Sequence, residues 1–179
     1  MASERVAIYI DGGNFYRRLK DPQVCPPAGR SLDFNKFVNH VANGRILISK
    51  RYYVGIVRNV DGTAKSEGMV RSQQKFLAGL ENDGFTIKRG RIVYDHAIRE
   101  KGVDVKLAVD LVIGAFDDFY DTAIIVSSDT DLIPAINYLK HKKKKIEYIG
   151  FSHAPSLGMI KFSDINVLLQ KKDIDGFLL

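Results

Sequence analysis

The sequence predicts an α/β protein: a central, mostly parallel sheet with helices on both faces. Two observations predict it. Short apolar runs alternate with stretches whose apolar residues recur at helical spacing, the pattern of strand–helix–strand units. Two of the runs, VAIYI at 6–10 and TAIIV at 122–126, are apolar throughout, as strands buried on both faces are.

Taken in order, VAIYI stops at Asp11-Gly12-Gly13 and reads as a buried strand, with residues 14–20 a short helix. Residues 21–30 hold three prolines and a glycine and read as a loop. Apolar residues at 34, 37, 38 and 41 predict a helix over 32–41, with Ser31 or Asp33 as its N-cap. Residues 46–57 read as strand, 58–68 as a polar surface loop, and 69–80 as a helix closed by Asn82-Asp83-Gly84. Residues 85–93 predict a strand with one wet face, and 94–102 a polar loop. Val103–Phe116 is a strongly apolar helix, 122–126 a strand, 131–140 a helix and 146–150 a strand. The remainder combines a short helix with an apolar stretch at 165–169. Crossovers between parallel strands should be right-handed.

Length and composition bound the rest. Residues 1–179 read as one domain, with 45% hydrophobic residues to fill a core. No apolar run approaches the ~20 residues of a membrane helix, and MASERVAIYIDGG is no signal peptide, so a cytoplasmic protein is expected. Cys25 is the only cysteine, which excludes an internal disulfide and a cysteine-based zinc site. His40, His96, His141 and His153 show no metal-ligand spacing. The net charge of +6 leans modestly towards anionic partners. Self-association is left open.

The chemistry gathers in acids. In open parallel sheets, ligands bind outside the carboxyl ends of the strands, where strand order reverses. VAIYI runs into Asp11, and TAIIVSS runs into Asp129, with Asp131 two residues on. Asp104 opens the intervening apolar helix, where the helix dipole favours a carboxylate. Asp110 lies deeper in that helix among Val103, Leu107, Leu111 and Gly114, and a charge there must be paired, hydrogen-bonded or metal-bound. Each acid also has a local explanation. Asp11 can begin a turn, Ser128 or Asp129 can cap the next helix, Asp104 can answer the dipole, and Asp110 can pair with Lys106 at i, i+4. Their joint placement on one sheet edge favours a shared site. Clustered carboxylates repel unless cations hold them, and oxygen-only ligands suit Mg²⁺ or Mn²⁺. Such a site on a basic protein points to phosphodiester hydrolysis.

YIDGGNFY, KGVDVKLAVDLV and VSSDTDLIPAI resemble, in order, the three motifs of NYN domains in the LabA-like branch, within the PIN-like ribonucleases; the resemblance spans roughly residues 6–151. It implies a three-layer PIN-like (Rossmannoid) fold and a metal-dependent RNA endonuclease site. By that resemblance Asp11 and Asn14 belong to the first motif, Asp104 and Asp110 to the second, and Asp129 and Asp131 to the third, with Ser127 and Ser128 as the small residues before it. Asp11, Asp104 and Asp129 are then the metal ligands, and Asp131 binds through water. Asn14 orients a ligand or contacts phosphate, and Asp110 acts in the site or supports it from behind. An alternative is an RNA-binding or regulatory protein of the same fold without turnover.

Arg17 and Arg18, close after Asp11, are the better phosphate candidates; Lys88, Arg89 and Arg91 are others. Lys101 and Lys106 flank Asp104 and can neutralise phosphate charge, or Lys106 can form a salt bridge. HKKKK at 141–145 reads as a solvated turn at the edge away from the acids. Tyr16 can stack on a base, whereas Phe15 reads as core. Other hydrolase readings fail. Gly13 stands where a haloacid-dehalogenase-type phosphatase needs a second Asp, the acidic pair of a receiver domain is absent, and no phosphate-binding GxxxxGK[ST] loop is present.

Overall fold

The structure, a computed structural model, describes residues 4–57, 59, 62–95 and 97–179, with the backbone alone over 91–95 and 97–100. His96, part of the loop expected at 58–68, the first three residues of the N-terminal reading and the Arg91 side chain fall outside what is described.

The chain runs β1 (Arg5–Asp11), α1 (Gly12–Leu19), α2 (Phe34–Ala42), β2 (Ile46–Ile56), α3 (Ala64–Asn82), β3 (Thr86–Asp95), β4 (Ala97–Lys101), α4 (Val103–Phe116), β5 (Thr122–Val126), a 3-10 turn (Thr130–Leu132), α5 (Ile133–His141), β6 (Lys145–Phe151), α6 (Leu157–Phe162), β7 (Ile165–Leu169) and α7 (Lys171–Gly176). One sheet orders the strands β4-β3-β2-β1-β5-β6-β7. All neighbours pair in parallel except β3 with β4. The chain builds outward from β1 through β2 and β3, then returns to place β5 on β1's other side. Strand order therefore reverses between β1 and β5, which makes their carboxyl ends the crevice.

Alternation along β1 sorts the core into two layers. Val6, Ile8 and Ile10 pack with Phe15 of α1, Phe37 and Val38 of α2, and Leu77 and Leu80 of α3. Ala7 and Tyr9 pack with Leu107 and Leu111 of α4, Ile136 and Leu139 of α5, and Met159 of α6. The α/β architecture with helices on both faces is thus as expected.

Three elements differ from expectation, one of them α7, a short helix after the last apolar stretch that the sequence reading did not include. The stretch read as a loop over 94–102 completes β3 and forms β4, an edge strand that returns antiparallel, Arg91 opposite Lys101 and Asp95 opposite Ala97. An edge strand needs little apolar content, so its polar sequence masked it. Helix α3 begins at Ala64 inside the expected loop, capped by the Thr63 side chain, which accepts from the Ser66 N–H. Elsewhere Asp33, one of the two expected caps, caps α2. No described helix is long and apolar enough to cross a membrane.

Two glycines bring elements close enough to shape the crevice. A Cβ at Gly12 would lie 2.5 Å from the Tyr52 ring, so only glycine lets α1 start directly against β2. A Cβ at Gly90 would lie 2.4 Å from Val103, so glycine seats the first turn of α4 on β3.

Candidate active site

Asp11 ends β1 two residues beyond Tyr9 and so shares its face, towards α4. Its carboxylate caps α1 by accepting from the Asn14 N–H at 3.0 Å. Its other oxygen accepts from the Ser127 hydroxyl at 2.9 Å. Ser127 Oγ accepts in turn from the Asp129 N–H at 3.2 Å, and the Asp129 carboxylate caps the 3-10 turn by accepting from the Asp131 N–H at 2.9 Å. Asn14 Oδ1 accepts from the Ser128 N–H at 3.1 Å, and Ser128 Oγ lies 3.0 Å from the Tyr148 hydroxyl. The ends of β1 and β5 are thereby laced together by side chains from the first and third acidic segments. The capping expected of Ser128 or Asp129 falls to Asp129, and Asp11, expected to begin a turn, caps α1 instead; both roles coexist with the link through Ser127.

Electrostatics make this pair unusual. Burial pushes the Asp11 carboxyl up from its ordinary value; the Asn14 and Ser127 hydrogen bonds oppose that, the Asp129 charge adds to it, and Arg17 opposes it from a distance. Asp11 has no salt-bridge partner among the described residues. A cation at this edge would relieve both the burial penalty and the repulsion.

The remaining candidates divide. Asp104 is exposed in the first turn of α4, whose N-terminus lies at the same sheet edge because α4 leads into β5, and α4 packs against the 3-10 turn that Asp129 caps. Asp131 is exposed beside it. Arg17 and Arg18 occupy the last turn of α1, Arg17 exposed and Arg18 half-buried. Lys101 is exposed at the end of β4. Phe15 is core, and Tyr16 is exposed with Lys20 over its ring.

Asp110 is a separate centre. It accepts from the Tyr53 hydroxyl at 2.7 Å and lies 3.3 Å from Arg51 and 3.2 Å from Lys88. The expected alternative, a pair with Lys106, does not form: Lys106 Nζ donates to the Arg89 carbonyl. Asp110 sits six residues beyond Asp104, about 240° round the helix at ~100° per residue, so the two acids leave α4 on different sides. Parallel register aligns Asp11 with Tyr53 and Tyr53 with Lys88, so the Asp110 partners continue the row that starts at Asp11. Arg51 and Tyr53 were not among the expected site residues. Arg51, a charge inside a strand next to two tyrosines, was the signal available.

The lysine run lies between α5 and the start of β6, at the opposite edge, and its charges are engaged: Lys144 with Asp118, Lys145 with Glu4 at 3.7 Å, and Lys142 over the Phe116 ring.

Could this edge hold a divalent ion? Among the described residues, no three acidic, histidine or cysteine side chains converge closely enough to form a ready metal cage. The donors are nevertheless all oxygen, and one hydroxyl, that of Ser127, holds the Asp11 carboxylate and the Asp129 backbone N–H. Mg²⁺ commonly binds through one or two carboxylates and keeps several waters. The residues fit a hydrated hard cation held by Asp11 and Asp129, with Asp104 and Asp131 at the rim.

The sheet, parallel except at β4 and covered by helices on both faces, is an α/β fold of the PIN-like kind, with acids at its reversal point. The NYN domain family model matches residues 5–164, and the chain belongs to that family. A crystal structure of a protein of unknown function from Vibrio parahaemolyticus has the same fold, with a TM-score of 0.72 at 22% identity, covering 99% of this chain and 97% of that one. No curated protein matches the chain by sequence.

Proposed function

We propose that the chain is a Mg²⁺- or Mn²⁺-dependent endoribonuclease of the LabA-like branch. The observation that carries this reading is the Ser127-bridged pair of Asp11 and Asp129, Asp11 half-buried and without a salt bridge among the described residues, at the strand-order reversal of a nuclease-type fold. A divalent ion held by these carboxylates would activate water and neutralise charge developing on a phosphodiester. Ser127 fixes the Asp11 carboxylate and the Asp129 backbone with one hydroxyl, so both acids keep their geometry when the charge between them changes. Asn14 holds the Ser128 N–H and locks the first motif to the third; it positions the loop. Asp104 and Asp131, both exposed, act through water. Arg17 and Arg18 contact the RNA backbone, and Lys101 supports them from the β4 side. Asp110 anchors Arg51 and Lys88 behind the row, as a positioning residue.

A second reading, RNA binding without turnover, draws on the fact that no three acidic side chains converge among the described residues. Incubation of a mixed RNA pool with Mn²⁺, with and without EDTA, separates the two. Cleavage that EDTA abolishes and Asp129→Asn removes supports the nuclease. RNA binding that survives EDTA with no cleavage supports the second reading.

A further inference from the structure

Helix α4 is apolar on both sides. Val103, Leu107, Leu111, Gly114 and Ala115 face the core and are buried. On the outside, Val105 is 60% exposed, Val109 48%, Ile113 51% and Phe116 68%, and Phe119 just beyond is 41% exposed. Steps of four, four and three residues place 105, 109, 113 and 116 along a single stripe. In a water-soluble protein, a helix that is apolar all round has both faces covered. Among the described residues only the Lys142 and Arg51 side chains reach over the Phe116 and Phe119 rings, and the stripe stays about half or more exposed from Val105 to Phe116.

We propose that this stripe is the contact with a second copy of the chain, two α4 helices packing antiparallel about a two-fold axis. Area and charge both indicate this occupant. At ~150–200 Å² for a large side chain, the five exposed fractions amount to about 450 Å² per copy. With the surrounding rim, this approaches the ~800 Å² per partner of a standard interface. Charge then sets the direction. Lys106 and Asp117 lie on the same flank of the stripe, about 100° and 120° round from Val105 at ~100° per residue, near opposite ends of the helix. A two-fold antiparallel pairing keeps that flank on one side and exchanges the ends. Each Lys106 then faces the other copy's Asp117, twice per dimer, whereas a parallel two-fold pairing puts the flank on opposite sides and leaves Lys106 and Asp117 apart. The interface is isologous and closes at two copies. It also turns the two acidic edges to opposite ends, so each copy works on its own stretch of substrate.

Sedimentation of the full-length chain across the micromolar range tests this. The expected result is a monomer–dimer equilibrium in which Val109→Glu with Ile113→Glu yields monomers of unchanged circular dichroism. Asp117→Lys alone should weaken the dimer several-fold, and Asp117→Lys combined with Lys106→Glu should restore it. A monomeric wild type overturns the proposal, as does a dimer indifferent to folded Val109→Glu/Ile113→Glu. Should that variant not fold, the charge pair decides: failure of the double reversal to restore association overturns the antiparallel α4 contact.

Discussion

Beneath the carboxyl ends of β1 and β5, Asp11 is surrounded by hydrogen-bond donors that carry no formal charge. Two strands away, in the same layer, Asp110 is held by Arg51, Lys88 and the Tyr53 hydroxyl. Both acids are partly shielded from bulk water and both belong to the sequence motifs that point to catalysis. They differ in who answers the charge. At Asp110 the protein supplies the counter-ions itself, so the group is structurally complete. At Asp11 the protein supplies orientation but, among the described residues, no counter-ion in salt-bridge contact, only the more distant Arg17. Membership of a motif therefore does not assign a role; the neighbouring charges do.

The sharpest test of that contrast is Asp110→Ala. It strands two cations, each partner being roughly a fifth to a third exposed, together with a phenol. Breaking a fully buried pair costs ~3–5 kcal/mol, and with this exposure about 2–3 kcal/mol is expected in denaturant melts. Asp110→Asn should cost less, since it can still accept from Tyr53. Residual cleavage, measured below the melting range, should track the folded fraction. An Asp110→Ala protein that melts like wild type yet cuts nothing would move Asp110 to the catalytic edge and erase the distinction.

The opposite behaviour is expected at the other centre. With Mg²⁺ at about 100 times its Kd, wild type should gain about 2.7 kcal/mol of stability, read as a rise in Tm. Asp129→Asn should gain none, while its metal-free form melts no lower than wild type because a repulsion has been removed. An unaltered metal response in Asp129→Asn would locate the ion elsewhere.

A smaller effect follows from the raised Asp11 carboxyl. The native state keeps its proton to higher pH than the unfolded chain does. Between the ordinary carboxylate range and Asp11's raised value the native state binds more protons, so metal-free stability falls as pH rises through that window and then levels. Stability–pH curves of Asp11→Asn should lack this decline. A steeper decline in the variant would mean that another group is responsible.

Least dramatic, but decisive for the binding face, is a comparison of two basic segments. Arg17→Ala with Arg18→Ala should weaken RNA binding and reduce its logarithmic salt slope by about 1.4, at ~0.7 per phosphate contact on single strands. Replacing Lys142, Lys143, Lys144 and Lys145 with Ala should leave the slope nearly unchanged, since three of them already serve Asp118, Glu4 and Phe116. The reverse ranking would put RNA on the opposite sheet edge.

Much of this architecture can be read from the chain alone, for a physical reason. VAIYI and TAIIV are short, wholly apolar and followed at once by acids, and a parallel strand buried on both faces admits little else. Placing Asp11 near Asp129 needed only the rule for strand-order reversal. Strand β4 escaped because AIREK at a sheet edge satisfies one side of its backbone with solvent and carries no burial signature. The start of α3 escaped because Gly68, taken as a loop signal, lies on an exposed helix face where nothing opposes it. Partners within the site were the hardest to foresee. Whether Asp110 meets Lys106 or Arg51 depends on how α4 sits across β2 and β3, and no local spacing encodes that.

The hydrogen bond from Ser127 to Asp11 spans 116 positions of the chain. During synthesis, at ~5–20 residues per second, Asp11 emerges on the order of ten seconds before the serine that orients it and the aspartate that shares that serine. Through that interval β1 can pair only with β2, and at the edge awaiting β5 Asp11 has its Asn14 hydrogen bond but not its Ser127 one. The crevice comes into being only when β5 slots in beside β1, late in translation. An edge built from segments 116 positions apart is thus assembled in two separated instalments, and it is complete only when the second arrives.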